Sequence, residues 1–402
     1  MTLREQDAPA GRAGPLRRLL RRWEPGEWTG DATGLTVVTA LLVVIGLVMS
    51  FSASFVDGAQ AGDTFGVFRR QLMWVVVGVG AYALAARLDH RIWRRLAWPL
   101  LGLALIGLVL VLVPGVGITR YGSTRWLGYP PLVVQPSEIA KLAVLLWLAD
   151  VLHRKRPADG SVQRLEHLMV PAVPALVVLA GLVLLQPDLG TTILLGLIVG
   201  AILWVEGLPG RMVAGFAAAA VGAVAVLAAV APYRVARIHG WLHPEADPLG
   251  TGYQLIQSRL ALGSGGVFGL GLGSSRGKWN FIPNPETDFI FAILGEELGL
   301  VGAGVVLGLF ATLFYLGLRI AYACEDGFGR TVAFAVTAWV AGQALINIGT
   351  VTGLLPITGV TLPLVSVGGS SLVTTLVALG ILASVARRAP RPRPVRTGGS
   401  PT

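Results

Sequence analysis

The segment at residues 279–302, WNFIPNPETDFIFAILGEELGLVG, passes from a polar loop into an apolar helix near Asp288. Four acids lie around this change: Glu286, Asp288, Glu296 and Glu297. Ionisable groups at or inside a membrane boundary are costly and usually mark a functional site. We therefore predict that Asp288, at the boundary, is functional, whereas Glu296 and Glu297, deeper in the helix, belong to packing and a polar network.

The composition around this segment is that of an integral membrane protein. Of the 402 residues, 54% are hydrophobic and 13% are charged, against roughly 25% charged residues in a soluble domain. Apolar windows of about 20 residues are long enough to cross a bilayer as helices, and backbone groups in lipid must bond internally. We predict an all-α membrane protein, a polytopic bundle of ten transmembrane helices over residues 34–53, 72–88, 97–114, 137–153, 169–186, 189–206, 212–231, 288–317, 331–352 and 368–386.

The distribution of Lys and Arg predicts the orientation. With the N-terminus inside, 22 of these residues fall in inner segments and nine in outer ones, and Lys141 lies within a helix. The positive-inside rule then places both termini in the cytoplasm. We predict a basic cytoplasmic tail at 1–33, a transmembrane domain at 34–388 with a large extracytoplasmic loop at 232–287 between helices 7 and 8, and a disordered Pro- and Arg-rich cytoplasmic tail at 389–402.

Charge, cysteine content and the position of the first apolar run argue against nucleic-acid binding, an internal disulfide and a cleavable signal peptide. The net charge of +10 is explained mostly by anchoring and topology, so nucleic-acid binding is not expected. The lone Cys324 lies in a predicted inner loop and cannot form an internal disulfide. No cleavable signal peptide is expected, because the first apolar run starts near residue 34 and nine more follow.

Unusual polar residues concentrate on the predicted outer side. Arg69 and Arg70 oppose the positive-inside rule; anionic headgroups or an anionic substrate would explain them, and snorkelling is the alternative. Arg125 and Trp126 can grip a phosphate or stack on a sugar. Lys278, in a glycine-rich loop, suits closure over an anionic lipid head. We predict a polar cavity at this side that binds an anionic substrate.

Helix starts supply further candidates for the same cavity. Glu138 and Lys141 are three residues apart and can pair on one helix face, either to shape the cavity or as a purely structural ion pair. Asp188 opens the sixth helix, where an acid favours the helix dipole; it either caps that helix or also lines the cavity. Ser366 and Ser370 flank a Gly-Gly turn and either cap the tenth helix or contact substrate as well.

The sequence favours a transfer reaction over other chemistries. It contains no Walker motif, no HExxH, no CxxC and no Ser-His-Asp order. The remaining pattern is a carboxylate opposite basic residues. That pattern suits displacement of a phosphate-type leaving group, with Asp288 as general base for an attacking hydroxyl.

Four segments resemble a known family, the SEDS peptidoglycan glycosyltransferases FtsW, RodA and SpoVE. They are residues 122–142 (GSTRWLG…QPSEIAKL), 186–190 (QPDLG), 263–302 (GSGG…ETDFIFAILGEELGLVG) and 354–371 (LLPITGVTLPLVSVGGSS). The resemblance spans about residues 34–388. It implies an enzyme of the bacterial cytoplasmic (inner) membrane that polymerises lipid II into β-1,4-linked glycan strands on the outer face and releases undecaprenyl pyrophosphate. It also implies a class B penicillin-binding protein and other division or elongation proteins as partners, besides membrane lipids.

The resemblance also assigns roles to residues. Asp288 matches the acid of the family's TDFIF motif, its proposed catalytic residue, and would deprotonate the acceptor's 4-hydroxyl. Glu138 and Lys141 match the QPSE-x-x-K motif. Arg125, Lys141 or a divalent cation (Mg²⁺ or Mn²⁺) would steady the pyrophosphate, although no dedicated metal cage is evident. Two positions depart from the family: Glu286 stands where many members have histidine, which puts help from that position in doubt and would add an acid for a metal, and Val367 replaces an aromatic residue.

The branch of the family and the alternatives to glycosyl transfer are two further questions. The LGEELG and LLPITG motifs favour the division branch, FtsW, over the elongation branch, RodA. The alternative function is a lipid II flippase, for which decisive charges near the midplane, two related halves and broken helices are expected; no internal repeat is apparent. A scaffold without chemistry is a third class, and it would tolerate substitution of Asp288.

Overall fold

The computed structural model describes residues 28–388, apart from gaps at 61, 121–122, 130–131, 157–164, 217, 220–221, 223–231, 280 and 284. The long helices and short connecting helices of the described residues are α1 (Gly30–Gln60), α2 (Gly66–Arg87), α3 (Ile92–Leu112), α4 (Pro136–Lys155), α5 (Leu165–Leu184), α6 (Leu189–Val205), α7 (Pro232–Leu242), α8 (Tyr253–Ser264), α9 (Ile290–Ala323), α10 (Gly327–Thr352) and α11 (Gly369–Ala386). Three strands join α3 to α4: β1 (Ile118–Arg120), β2 (Ser123–Tyr129) and β3 (Leu132–Val134).

The predicted helical membrane fold is confirmed, with helix boundaries that mostly differ by a few residues. Six described helices are long and apolar enough to span a bilayer, namely α3, α5, α9, α10, α11 and the first 27 residues of α1, and α6 is a shorter apolar helix. The predicted helix at 212–231 lies largely outside the described residues; its described positions 212–216, 218, 219 and 222 are helical. The total of ten spans stays a prediction.

Both ends of the described chain meet at one end of the bundle. The Thr29 hydroxyl donates to the carbonyl of Ala386 at 3.3 Å, and the Arg387 guanidinium lies 4.7 Å from the centre of the Trp28 ring. We call this the terminal end, and the opposite end, which carries the strands, the sheet end. The predicted tails at 1–33 and 389–402 fall almost wholly outside the described residues, but their attachment points lie on the same side, as predicted.

A small antiparallel sheet was not predicted. Its order is β1-β2-β3, with Thr119 opposite Thr124 and Leu127 opposite Val134. A window sized for membrane helices overlooks strands this short. Gly128 allows the second hairpin because its φ is +114° and a side chain there would lie 2.3 Å from the Leu132 carbonyl oxygen. The sheet holds the side chains of β2 at the mouth of the bundle.

Helix α4 lies at the centre of the bundle. Every residue from 140 to 150 is buried, and α3, α5, α6, α10 and α11 all contact this helix. A helix buried on all sides is a core helix. Polar side chains on α4 must therefore find partners inside the protein.

Helix α9 is broken at Gly299, whose φ of 66° and ψ of −164° are non-helical. Ahead of the break, the carbonyls of Glu296 and Glu297 accept hydrogen bonds from the backbone of Leu270 and Gly271, each at 3.0 Å. Beyond it, Leu300 donates to the carbonyl of Gly266 at 2.9 Å, and Val301 donates to that of Val267 at 3.1 Å. The glycine-rich loop thus replaces hydrogen bonds that a continuous helix would have made.

The side chains of Glu296 and Glu297 form the structural network that we predicted. Glu296 accepts from the Ser275 hydroxyl at 2.5 Å and from the Arg276 amide at 3.0 Å. Glu297 accepts from the Ser52 hydroxyl at 2.7 Å and lies 3.3 Å from the Lys278 ammonium. The glycine-rich loop is therefore fixed to α9, and its Lys278, predicted to close over a lipid head, is buried in this network outside the cavity lining.

The long loop between residues 232 and 287 contains the short helix α8. Its buried residues include Leu255 and Ala261, whereas Leu260 is exposed. Trp241 of α7 ties this region to the end of α10 by donating to the Gly353 carbonyl at 3.0 Å.

We predict that Gly299→Ala destabilises the protein by about 2 kcal/mol or more, because it forces a side chain into a glycine-only backbone region. The added carbon would also lie 2.3 Å from the Gly269 nitrogen and 2.5 Å from the Val267 oxygen. The control is Gly304→Ala in the same helix, where nothing lies within 4 Å. Thermal unfolding in detergent should show a lower midpoint for the first variant only; equal midpoints would contradict the role given to the break.

Candidate active site

A cavity of about 470 Å³ opens at the sheet end of the bundle. Its walls come from the starts of α2, α4, α6 and α11, from β2 and α7, from residues 286–288 and from residues 357–361. Six of the ten predicted site residues line it: Arg125, Trp126, Glu138, Asp188, Asp288 and Ser370. The predicted polar cavity is therefore present, and the acid at the loop–helix boundary lies in its wall.

Asp288 is held through its backbone, while its carboxyl faces the cavity. The Asn347 side-chain amide donates to the Asp288 carbonyl at 2.8 Å and to the Val360 carbonyl at 2.7 Å. Gly359 borders the carboxyl, since a side-chain carbon there would lie 3.6 Å from Oδ2. The helix begins at Ile290 rather than at Asp288, so this acid belongs to the preceding turn.

The surroundings of Asp288 set its basicity. Burial raises the pKa of Asp288 to about 6; the cations Arg125 and Arg237 act to lower it, and Asp188 acts to raise it. A general base works best with a pKa near the working pH. This carboxyl is therefore ionised at neutral pH yet basic enough to accept a proton.

The predicted Glu138–Lys141 pair forms, with Nζ 2.8 Å from Oε2. Lys141 is fully buried, donates to Gln343 Oε1 at 3.1 Å and lies 5.0 Å from the centre of the Trp339 ring. It lies behind the cavity wall, while Glu138 and Gln343 line the cavity. The placement of Lys141 in the cavity is thus corrected: it neutralises and orients the residues that face the cavity.

Arg125 and Asp188 both make contacts at the start of α6. Arg125 donates through Nε to the Gln186 carbonyl at 3.0 Å and also bonds the Pro187 carbonyl. Asp188 lies 3.8 Å from the same guanidinium and caps α6 by accepting from the Thr191 amide at 3.0 Å. Both interpretations of Asp188 therefore hold, because this cap also lines the cavity.

The two serines contact neighbouring segments and do not cap α11, whose start has no side-chain cap. The Ser366 hydroxyl donates to the Thr287 carbonyl at 2.6 Å and accepts from the Leu362 amide at 2.8 Å. It is buried outside the cavity lining and fixes the residue before Asp288. Ser370 lines the cavity and accepts from the Gln135 amide at 3.1 Å.

Two predicted cavity cations lie elsewhere. The Arg69 side chain is 68% exposed and pairs with Asp63 at 2.6 Å outside the cavity, whereas its neighbour Arg70 lines the cavity. Consecutive residues of a helix point about 100° apart, so only one of the two arginines faces inward. Lys278 is buried against Glu297 in the α9 network. Sequence alone gives neither the helix rotation nor the path of the loop.

Several lining residues were outside the predicted site. They include Arg70, Gln135, Arg237, Glu286 and Gln343. Arg70 and Arg237 share one signal, since both are arginines in predicted outer segments, against the positive-inside rule. The glutamines carry no such signal, because an uncharged side chain does not stand out in a membrane sequence.

The donor set does not suit a resident metal ion. Within the described ranges, no group of three or more His, Cys, Asp or Glu side chains is placed to hold one. A divalent cation at this cavity would need oxygen ligands from a substrate, as Mg²⁺ commonly takes from phosphates.

Comparison with known proteins gives consistent matches over nearly the whole chain. The family model for FtsW, RodA and SpoVE, described as cell cycle protein, matches residues 32–390. The probable peptidoglycan glycosyltransferase FtsW of Mycobacterium tuberculosis is 44% identical over 392 residues, which cover 96% of this chain and 73% of that protein. Stage V sporulation protein E of Bacillus subtilis is 42% identical over 355 residues, covering 88% and 96%.

Two solved structures are similar in fold. One, from work on structural coordination of polymerization and crosslinking by a peptidoglycan synthase complex, has a TM-score of 0.73 at 34% identity and covers 92% of this chain and all of that one. The other, the rod shape determining protein RodA of Thermus thermophilus, has a TM-score of 0.66 at 30% identity, covering 91% and 98%.

We predict that Lys141→Met destabilises the protein by about 3–5 kcal/mol, because it leaves the buried Glu138 carboxylate without its counter-ion. The double variant Glu138→Gln/Lys141→Met removes both charges and should recover much of that loss. Thermal unfolding of wild type, both single variants and the double variant in detergent gives the coupling energy. A double variant no more stable than Lys141→Met would show that the two charges are not coupled.

Proposed function

Because the chain belongs to the FtsW, RodA and SpoVE family, we propose that its cavity polymerises lipid II, with Asp288 as the general base. The protein is a peptidoglycan glycosyltransferase of the FtsW-like branch, with a role in cell division. The observation that carries the proposal for the site is the Asp288 carboxyl, which faces a cavity lined by arginines and has a pKa raised to about 6.

The proposed reaction is a single displacement. Asp288 takes the proton from the 4-hydroxyl of the acceptor's N-acetylglucosamine as that oxygen bonds to the anomeric carbon of the donor's N-acetylmuramic acid. The bond from this carbon to undecaprenyl pyrophosphate breaks, and its electron pair leaves with the pyrophosphate. The α-linked donor thereby becomes a β-1,4 linkage.

Positioning of the base supports this assignment. Asn347 and Ser366 hold the carbonyls of Asp288 and Thr287 from two different segments. A carboxylate fixed in this way needs little reorganisation when the reaction begins, which is a main source of catalytic rate. Glu138 lines the wall without adding net charge, because Lys141 neutralises it from behind.

A divalent cation, Mg²⁺ or Mn²⁺, is a further proposal. Since the described side chains do not form a three-ligand site, such an ion would arrive with the pyrophosphate of the substrate. No step above is assigned to it.

Membership of this family also supports a proposal for the location of the site and for its partners. The chain is a multi-pass membrane protein. We place it in the bacterial cytoplasmic membrane with the sheet end outside, where lipid II is polymerised. A class B penicillin-binding protein is the proposed partner, because a similar solved structure comes from a complex that coordinates polymerization with crosslinking. Other proteins of the division machinery and the surrounding lipids complete the proposed environment.

We predict that Asp288→Asn lowers the rate of glycan polymerisation by about 10²–10⁴-fold, the usual contribution of a general base. The matched control is Glu286→Gln, which removes the same charge from the same cavity wall and should cost far less. Purified protein with its partner and lipid II provides the assay, with glycan product resolved by length. Full polymerisation by Asp288→Asn contradicts the assignment, and a larger loss in Glu286→Gln transfers the role to that acid.

An assay of wild type distinguishes the alternative function. A flippase would move lipid II across the membrane of a liposome without forming glycan. Wild type that translocates lipid II but gives no polymer would favour the flippase, whatever Asp288→Asn does.

We predict that the polymerisation rate falls as the pH drops through about 6. The ionised carboxylate is the active form, and burial raises its pKa to about 6, so protonation removes the base at a higher pH than for an ordinary aspartate. Well below the midpoint the rate should fall about tenfold per pH unit. Measuring kcat/KM from about pH 5 to about pH 8 tests this; activity that persists to about pH 4, the ordinary aspartate range, would contradict it.

A further inference from the structure

Two of the cations near the cavity are already engaged by the protein. Lys141 is fully buried and paired with Glu138 at 2.8 Å. Arg125 directs its Nε and a terminal nitrogen at the carbonyls of Gln186 and Pro187. Turning either cation fully towards an incoming anion would therefore cost it these bonds.

The proposed displacement needs a cation at the leaving group. When the bond to the anomeric carbon breaks, the diphosphate gains one negative charge. Inversion places the entering and leaving oxygens on opposite faces of that carbon. The cation for the diphosphate must therefore come from a wall of the cavity other than that of Asp288.

Arg70 meets this requirement. It is an exposed side chain on α2 that lines the cavity, beside Gln71 and Trp74. This wall is held to the start of α11, because Gln71 accepts from the Gly368 amide at 3.4 Å and the Trp74 ring lies against Gly369, where a side-chain carbon would meet it at 2.4 Å. The carboxyl of Asp288, by contrast, lies in the wall formed by residues 357–361 and α10.

Arg237 belongs to the Asp288 side. It lines the cavity from α7 and is one of the two cations that lower the pKa of Asp288. The two arginines therefore line the cavity from different helices, Arg70 from α2 and Arg237 from α7.

We propose that Arg70 binds the diphosphate of the lipid-linked donor and stabilises it as the leaving group. The proposal rests on the proposed function. A guanidinium suits this task because it stays charged and can donate two parallel hydrogen bonds to phosphate oxygens.

The test compares Arg70→Gln with Arg69→Gln, its neighbour in sequence, which is exposed and paired with Asp63 outside the cavity. Steady-state polymerisation of lipid II is measured with increasing inorganic pyrophosphate as a competing anion. Arg70→Gln should lower kcat and raise the inhibition constant of pyrophosphate by about 10–100-fold each, the range for a hydrogen bond to a charged group. Arg69→Gln should stay within about twofold of wild type, and Arg70→Lys should recover part of the loss.

The midpoint of the pH–rate profile provides a second measurement, which a purely structural effect of a substitution would not change. Arg237→Gln is the reference variant for this measurement. Its loss removes a charge that lowers the pKa of Asp288, so the midpoint of the pH–rate profile should rise. Arg70→Gln should leave that midpoint near wild type. Thermal unfolding in detergent shows whether each variant is folded.

Three results would overturn the proposal. They are equal kinetics for Arg70→Gln and Arg69→Gln, an Arg70→Gln rate loss with unchanged pyrophosphate inhibition, and a pH midpoint that shifts with Arg70→Gln as much as with Arg237→Gln. If wild type itself makes no glycan, the proposed function fails instead. Direct titration of folded wild type, Arg70→Gln and Arg69→Gln with pyrophosphate then still decides the anion site: weaker binding in Arg70→Gln alone supports it, and equal binding rejects it.

Discussion

The backbone hydrogen bonds exchanged across the break at Gly299 are the interaction on which the cavity depends. They dock residues 265–271 of the glycine-rich loop onto α9, and the carboxylates of Glu296 and Glu297 then fix residues 275–278. From there only a short stretch of chain leads to Asp288. A loop with this many glycines would otherwise carry a large conformational entropy, so the break converts it into a rigid support for the segment that carries Asp288.

Helix α10 provides the second support, through side chains spaced four residues apart on one face. Trp339 and Lys141 both reach Gln343, which also donates to the Thr361 carbonyl at 3.0 Å. One turn further on, Asn347 holds Asp288 and Val360. The ion pair of α4 and Asp288, in the turn before α9, are thus positioned by the same face of α10, and a shift of α10 would move both together.

The sequence predicted what depends on local pattern and on the cost of burying charge. Long apolar runs gave the helices to within a few residues in most cases, and the acids at 288, 296 and 297 separated correctly into a cavity residue and a network. Features set by helix rotation or by the path of the chain were not predicted: which of Arg69 and Arg70 faces inward, that Lys141 lies behind the wall, and that Arg125 lies on a strand of a small sheet. These depend on tertiary packing, which single-sequence periodicity does not contain.

The partners of Glu138 and Asp188 explain how Asp288 differs from these two acids of the cavity. Glu138 is neutralised by Lys141 at 2.8 Å, and Asp188 accepts hydrogen bonds from Thr191 and Gln135. Within the described residues, the hydrogen bond that holds Asp288 goes to its backbone carbonyl, and none of 3.5 Å or less reaches its carboxylate. A carboxylate that is desolvated but not bonded binds a proton more strongly. The protein has therefore fixed the position of Asp288 without satisfying its charge, which is the condition a base requires.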